Sequence, residues 1–272
     1  MTTVVLGGTG KTGRRLVRTL RAAGQPVRAA SRSGEVRFDW DAQETWEPAL
    51  AGASAVYLVA PEDPVLARLF VARASSVRRF VVLSGRGIDK VPAGAFEGMA
   101  AAEAAVRESA AEWTILRANN FNQNFSEELW QAPLLAGRLA LPLGEEPEPF
   151  VDVQDIADVA AAALTSDGHH GQVYDLSGPR GLTFAEAVST IAAASGRPMR
   201  YEEITPAEYR AALLAEGLPE EVAEELNGMF DTMRAGHLMP PGDGVQRVLG
   251  REPIEFAEYA EYAAAAGAWS SR

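Results

Sequence analysis

Thr3-Val4-Val5-Leu6 runs straight into Gly7-Gly8-Thr9-Gly10-Lys11-Thr12-Gly13, and the fold turns on how that stretch is read. A short apolar strand ending in glycines and followed by a helix is the setting in which a glycine triplet binds a dinucleotide. Gly7 permits the tight turn, Gly10 lets the backbone approach a pyrophosphate, and Gly13 lets the helix lie close on the sheet. The N–H groups of the first helical turn, with Thr9, Lys11 and Thr12 around them, then face the phosphates. The helix itself shows in the spacing. Leu16, Val17, Leu20 and Ala23 share one face, Arg14, Arg15, Arg18 and Arg21 lie largely opposite, and Gly24 ends it.

Working outward, strand and helix signals alternate. Residues 26–31 read as a second strand and 35–40 as a third, with Asp41 as the next N-cap and Glu44 closing a capping box. Residues 54–60 form a buried fourth strand, and Asp63-Pro64 opens a helix with a cap and a proline at its first position. Residues 80–83 are the fifth strand, 99–111 a helix, and 113–117 the sixth strand. Repeated βα units predict an α/β fold, a doubly wound parallel sheet of the Rossmann type. Beyond it, Asp152 with Asp155, Thr183 with Glu186, and Thr205 with Glu208 mark helix starts, and residues 172–176 read as one more strand. The expected division is a nucleotide-binding domain over 1–121 and 150–177, with a small, mostly helical C-terminal lobe over 122–149 and 178–272.

The totals narrow the partners. A 272-residue chain with 47% hydrophobic residues can bury a full core, and its net charge of −12 argues against nucleic acid or an anionic membrane surface. There is no cysteine, which excludes disulfides and thiolate chemistry. No apolar run approaches the ~20 residues that span a bilayer. The chain opens on a strand with no leader pattern, so the expected location is cytoplasmic. His169-His170 sits among Asp167, Gly168 and Gly171 and reads as an exposed turn, and His237 is isolated, so no metal site is expected.

The tip of the second strand sets cofactor choice. It reads Ala30-Ser31-Arg32-Ser33, without the acidic residue that binds an NAD ribose. Arg32 is placed to fork onto a 2′-phosphate, with Ser33 adding a hydrogen bond, unless it is simply a solvated loop arginine. The expected cofactor is therefore NADP(H). Asp39 and Trp40 are placed to flank the adenine, although Trp40 reads equally well as a core aromatic. Val59, Ala60 and Pro61, after the fourth strand, are expected at the ribose and nicotinamide.

Several stretches together resemble the NmrA-like branch of the short-chain dehydrogenase/reductase superfamily. They are the glycine loop, Ala30-Ser31-Arg32-Ser33, Leu83-Ser84-Gly85-Arg86-Gly87, Trp113-Thr114-Ile115-Leu116-Arg117, Gln123-Asn124-Phe125 and Pro149-Phe150-Val151-Asp152-Val153. The similarity is closest to bacterial relatives of the ergot-alkaloid reductases, and it runs from about residue 3 to about residue 262. It implies an oxidoreductase with a small-molecule substrate. Ser84 keeps the superfamily's serine position, but alignment on Glu103 and Trp113 puts the usual Tyr-x-x-x-Lys pair at Ala95 and Met99, which move no proton. No catalytic residue is therefore assigned. Such a site suits an acceptor that is already electrophilic, an iminium, a quinone or a cationic aromatic. Asn119, Asn120, Phe121, Phe125 and Trp130 either border that acceptor or only tie the lobe to the sheet. The alternative function is a non-catalytic sensor that binds NADP(H) and acts through a protein partner.

Overall fold

In the computed structural model, residues 2–90 and 96–270 are described. The strands are Thr3–Leu6 (β1), Val27–Ser31 (β2), Val36–Arg37 (β3), Ala55–Val59 (β4), Arg79–Gly85 (β5), Glu112–Ala118 (β6), Arg138–Leu141 (β7), Gln172–Leu176 (β8) and Arg200–Glu203 (β9). The helices are Lys11–Ala22 (α1), Trp46–Leu50 (α2), Pro64–Arg73 (α3), Glu97–Glu108 (α4), Gln131–Leu135 (α5), Val153–Thr165 (α6), Phe184–Ser195 (α7), Pro206–Ala215 (α8), Glu220–Arg234 (α9), Gly244–Leu249 (α10) and Phe256–Ala265 (α11). A seven-stranded sheet runs in the order β3-β2-β1-β4-β5-β6-β8, parallel throughout, while β7 and β9 pair apart from it. This is the Rossmann-like α/β fold, with its strand order reversing between β1 and β4.

Alternation along each central strand fills two layers. Val4, Leu6, Val56, Leu58, Phe80 and Val82 face α3 and α4, where Phe70, Ala102 and Val106 meet them. Val5, Tyr57, Val81, Leu83 and Leu116 face the other way, onto Leu16 and Leu20 of α1 and Ile156 and Val159 of α6. A third apolar cluster lies in the C-terminal helical region and is dominated by rings, among them Phe125, Trp130, Phe150, Phe184, Phe230 and Phe256.

Local signals and tertiary demands part company at three places. The third strand is only two residues long, because Phe38 and Trp40 leave the sheet to meet Phe70 edge-on, with Trp46 edge-on to Trp40 and stacked on Phe38. Asp41 caps nothing. The turn before α2 is a 3-10 turn at Gln43–Thr45, where the Thr45 hydroxyl donates to the Ala42 carbonyl at 2.7 Å and the Trp46 indole donates to the Asp39 carbonyl. Asp155 closes no box with Asp152, which caps α6 alone. It turns inward to accept from the Ile254 N–H at 2.8 Å. The Asp63 cap and the boxes of Thr183 with Glu186 and Thr205 with Glu208 all form.

Candidate cofactor and substrate site

The glycine loop ends β1 at the sheet's reversal point. Gly7 holds φ +65°, and the Gly10 N–H closes the turn onto the Gly7 carbonyl at 2.8 Å. A Cβ on Gly13 would stand 2.1 Å from the Gly7 oxygen, so that position is closed to any side chain. Gly10 is different: it is exposed, and a Cβ there would meet only the Gly7 oxygen at 3.2 Å. Gly10 starts α1 with no side-chain cap and no acidic residue in the first turn. Its orphan N–H groups and positive helix end suit a pyrophosphate. The residues present thus fit a dinucleotide.

Around this loop, Thr9 donates to the Ser31 hydroxyl at 3.1 Å, and Thr12 is buried. Arg32 and Ser33 are exposed at the tip of β2, and Arg32 meets no partner among the described residues. Asp39 is half-buried, its carboxylate accepting from the Asp41 N–H at 3.3 Å. Trp40 is half-buried in the ring cluster described above, so its core role is visible. Val59, Ala60 and Pro61 are half-buried beyond β4. Lys11 reaches away from the loop, with Nζ 2.7 Å from Asn124 Oδ1 and 2.9 Å from Glu128 Oε2.

Asn124 leads to a cavity of about 240 Å³ over the C-terminal ends of β5 and β6. Ser84, Gly85 and Arg86 form one side, Asn119, Asn120 and Phe121 another, and Phe96 and Met99 of the α4 start a third. Met229 and Thr232 of α9, with Leu238, close it from the lobe. Phe96 sits at φ 55°, a left-handed backbone that a bulky side chain rarely adopts.

The Ser84 hydroxyl is committed elsewhere. It donates to Glu103 Oε1 at 2.7 Å, and Glu103 takes two further bonds from Arg117, at 3.0 and 2.9 Å. Burial pushes the Glu103 carboxyl up, but Arg117 and Ser84 together outweigh it and hold the group below its usual range. A hydroxyl bonded to a carboxylate is a poor donor to a substrate. Met99, from the position of the usual lysine, lines the cavity, and Ala95 lies outside the described residues.

Of the five lobe-side candidates, Asn119, Asn120 and Phe121 line the cavity. Phe125 and Trp130 do not, which corrects the expectation for both. They are 0% and 2% exposed and packed ring to ring, 4.7 Å between centroids, with Phe150 and Phe184 around them. Asn119 is wholly spent: Nδ2 donates to Glu148 and to the Leu238 carbonyl, and Oδ1 accepts from Arg86.

Sequence reasoning missed Glu148, which stands 1% exposed behind both asparagines. Burial pushes its carboxyl above the usual range, against the N–H donors of Asn119 and Asn120. In sequence it lies in a proline-rich acidic turn that carries no sign of burial. Phe96 was missed as well, since nothing local announces a left-handed phenylalanine. Among the described residues no group of acids and histidines is arranged to hold a metal. His169 sits 3.0 Å from the Tyr174 hydroxyl, and His170 accepts from the Trp113 N–H. No described helix is long and apolar enough to cross a membrane.

Comparison with known proteins places this geometry. The model of the NmrA-like family matches residues 1–263. An NAD(P)H azoreductase of Xenophilus azovorans is 33% identical, over 97% of this chain and 99% of that protein. Festuclavine dehydrogenase of Aspergillus fumigatus is 31% identical, over 96% of this chain and 97% of the enzyme. Among solved structures, the triphenylmethane reductase of Citrobacter sp. with NADP(H) shares the fold at a TM-score of 0.81. It is 22% identical, with 97% of this chain and 100% of that one covered.

Proposed function

The chain belongs to the NmrA-like family, and from that premise we propose that it is an NAD(P)H-dependent reductase of a small electrophilic acceptor, an iminium, a quinone or a cationic aromatic. Bound along the glycine loop, NADPH would supply the hydride. Arg32, exposed and unpaired at the tip of β2, supports NADPH over NADH.

One observation carries the choice of acceptor. The Ser84 hydroxyl is tied to Glu103, and a methionine stands where a lysine would complete a relay. Arg86 gives its guanidinium to Asn119 and to the Leu238 and Pro240 carbonyls. The cavity therefore holds its acceptor and excludes water without an acid to activate a ketone. Positioning of this kind is worth several kcal/mol when the acceptor is reactive in itself.

Loss of NADPH absorbance against ketones, quinones and cyclic iminium ions tests the reading. Turnover is expected with the last two classes and not with simple ketones. With no enzymic acid in the proton step, the quinone rate should change little between about pH 6 and 8. Ketone reduction that collapses in Ser84→Ala would overturn this reading. Tight NADPH binding without turnover of any acceptor would favour a sensor instead.

A further inference from the structure

Asn124 stands where the nucleotide helix meets the cavity, and both its backbone and its amide are held. The Asn124 N–H donates to the Phe121 carbonyl at 3.0 Å, and its carbonyl accepts from the Trp130 backbone N–H at 2.9 Å. The side chain is fixed by Lys11, whose Nζ lies 2.7 Å from Oδ1. A lysine ammonium has hydrogens to give and no lone pair to accept with, so the amide atom facing it is the oxygen. Glu128 Oε2, 2.9 Å from the same Nζ, keeps the ammonium in place. Asn124 borders the cavity and Lys11 does not, so the edge turned to the cavity is the NH2.

Other side-chain donors at the cavity are directed at protein acceptors. Ser84 donates to Glu103, Asn119 to Glu148 and the Leu238 carbonyl, and the Thr232 hydroxyl to the Gly228 carbonyl at 3.3 Å. Asn120 Nδ2 faces Glu148 Oε1 at 3.3 Å and Met233 Sδ at 3.8 Å, which leaves Oδ1 as its free atom. Arg86 reaches Asn119 and the Leu238 and Pro240 carbonyls. From Asn124 Nδ2, by contrast, no described residue accepts. The charge on Lys11 draws electron density toward Oδ1 and makes that N–H a stronger donor than an ordinary amide. An amide releases no proton near neutrality, so it holds a ligand without acting as an acid.

We infer that Asn124 is a substrate-holding residue: its Nδ2 donates to a lone pair on an oxygen or nitrogen of the ligand, and Lys11 is the residue that positions it. The inference rests on reading the cavity as the substrate site. It gives the bound acceptor a direction. In hydride transfer to a conjugated acceptor the hydride forms the new C–H bond and a π pair moves onto the terminal oxygen or nitrogen. NADPH becomes NADP⁺, and water supplies the proton. The Asn124 N–H meets the atom on which that negative charge gathers, already oriented before the charge forms. Lys11 is the first residue of α1, so one helix start serves both ligands, its backbone the pyrophosphate and its lysine the acceptor.

The test uses the protein saturated with NADP⁺, which carries no hydride, and two ligands of similar shape. 1-Indanone has a carbonyl lone pair and indane has none, and both are titrated by calorimetry. Asn124→Asp keeps an oxygen for Lys11 and sets a second oxygen where the NH2 stood. It should weaken 1-indanone about tenfold, ~1.4 kcal/mol, and change indane less than about twofold. Lys11→Met, which frees the amide to turn, should weaken 1-indanone about threefold. Lys11→Arg, which still donates to Oδ1, should keep most of the affinity. Unchanged binding of 1-indanone in Asn124→Asp, an equal fall for indane, or no binding of 1-indanone to the unaltered protein would overturn the inference. Unchanged binding in Lys11→Met would overturn the role of Lys11. Because no hydride is present, failure of NADPH oxidation in the acceptor panel would count against the reductase reading alone.

Discussion

At Gly13 a Cβ would stand 2.1 Å from a backbone oxygen, and at Gly10 the nearest protein atom would be 3.2 Å away. Two loop glycines one helical turn apart are therefore constrained differently: Gly13 is closed by the protein's own packing, while Gly10 is open on the side where we propose the dinucleotide lies. Gly13→Ala should destabilise the fold by about 1–3 kcal/mol, the usual range for overpacking. Gly10→Val should leave the melting temperature close to that of the unaltered protein and abolish nucleotide binding. Thermal melts with and without NADPH separate the two, and a Gly10→Val protein that NADPH still stabilises would place the dinucleotide elsewhere. Arg32 belongs at this scale too, since it is exposed and has no protein partner to lose. Arg32→Ala should weaken NADPH about tenfold (~1.4 kcal/mol) and NADH hardly at all, as read by calorimetry. Equal affinity for both nucleotides in the unaltered protein would refute the 2′-phosphate role.

The helix starts govern the site more than the strands do. At α4 a Cβ on Gly98 would stand 1.8 Å from the Pro61 carbonyl oxygen, so the helix seats directly on the chain leaving β4. Phe96 and Met99 reach the cavity from that seat. Gly98→Ala should lift the helix start, lower the melting temperature by several degrees at roughly 2–4 °C per kcal/mol, and reduce turnover of the acceptor. An unchanged melt with unchanged turnover would show the seat to be irrelevant. Sequence made the local parts of this architecture legible. The strand, loop and α1 were readable, as were the Asp63 cap and two capping boxes, because residues within four positions of each other settle them. It hid what distant neighbours settle. Asp41 lost its cap to Thr45 and Trp46, and Phe125 and Trp130 are claimed by rings up to 131 residues further along the chain, the distance from Phe125 to Phe256. Glu148 is buried against Asn119 and Asn120, which arrive from the end of β6, some thirty residues earlier in the chain.

Across the whole molecule, carboxyl groups of opposite shift shape the dependence of stability on pH. Burial pushes Glu127 up, but Arg15 and Arg14 outweigh it and hold it low, as Arg117 and Ser84 do for Glu103. Such depressed groups stabilise the fold above their unfolded pKa, and that stability is lost as pH falls through the folded value. Asp155 has the opposite sign. Its side chain is fully buried, Arg251 Nη1 lies 2.6 Å from Oδ1 from a half-open position, and burial pushes the carboxyl up to about 6 from an ordinary 3.8. A raised acid binds its proton more tightly in the folded state, so its contribution is full below pH 3.8 and declines as pH rises to about 6. A gap of about two units corresponds to something on the order of 3 kcal/mol at ~1.4 per unit. Asparagine at this position can still accept from the Ile254 N–H, and it does not titrate. Urea denaturation of the unaltered protein and Asp155→Asn at half-unit steps from pH 3.5 to 8 reads the difference. The variant should gain on the parent between pH 4 and 6 and hold a constant offset above that. Parallel curves through the whole window would mean that Asp155 titrates alike in the folded and unfolded chain, the pull of Arg251 cancelling the cost of burial.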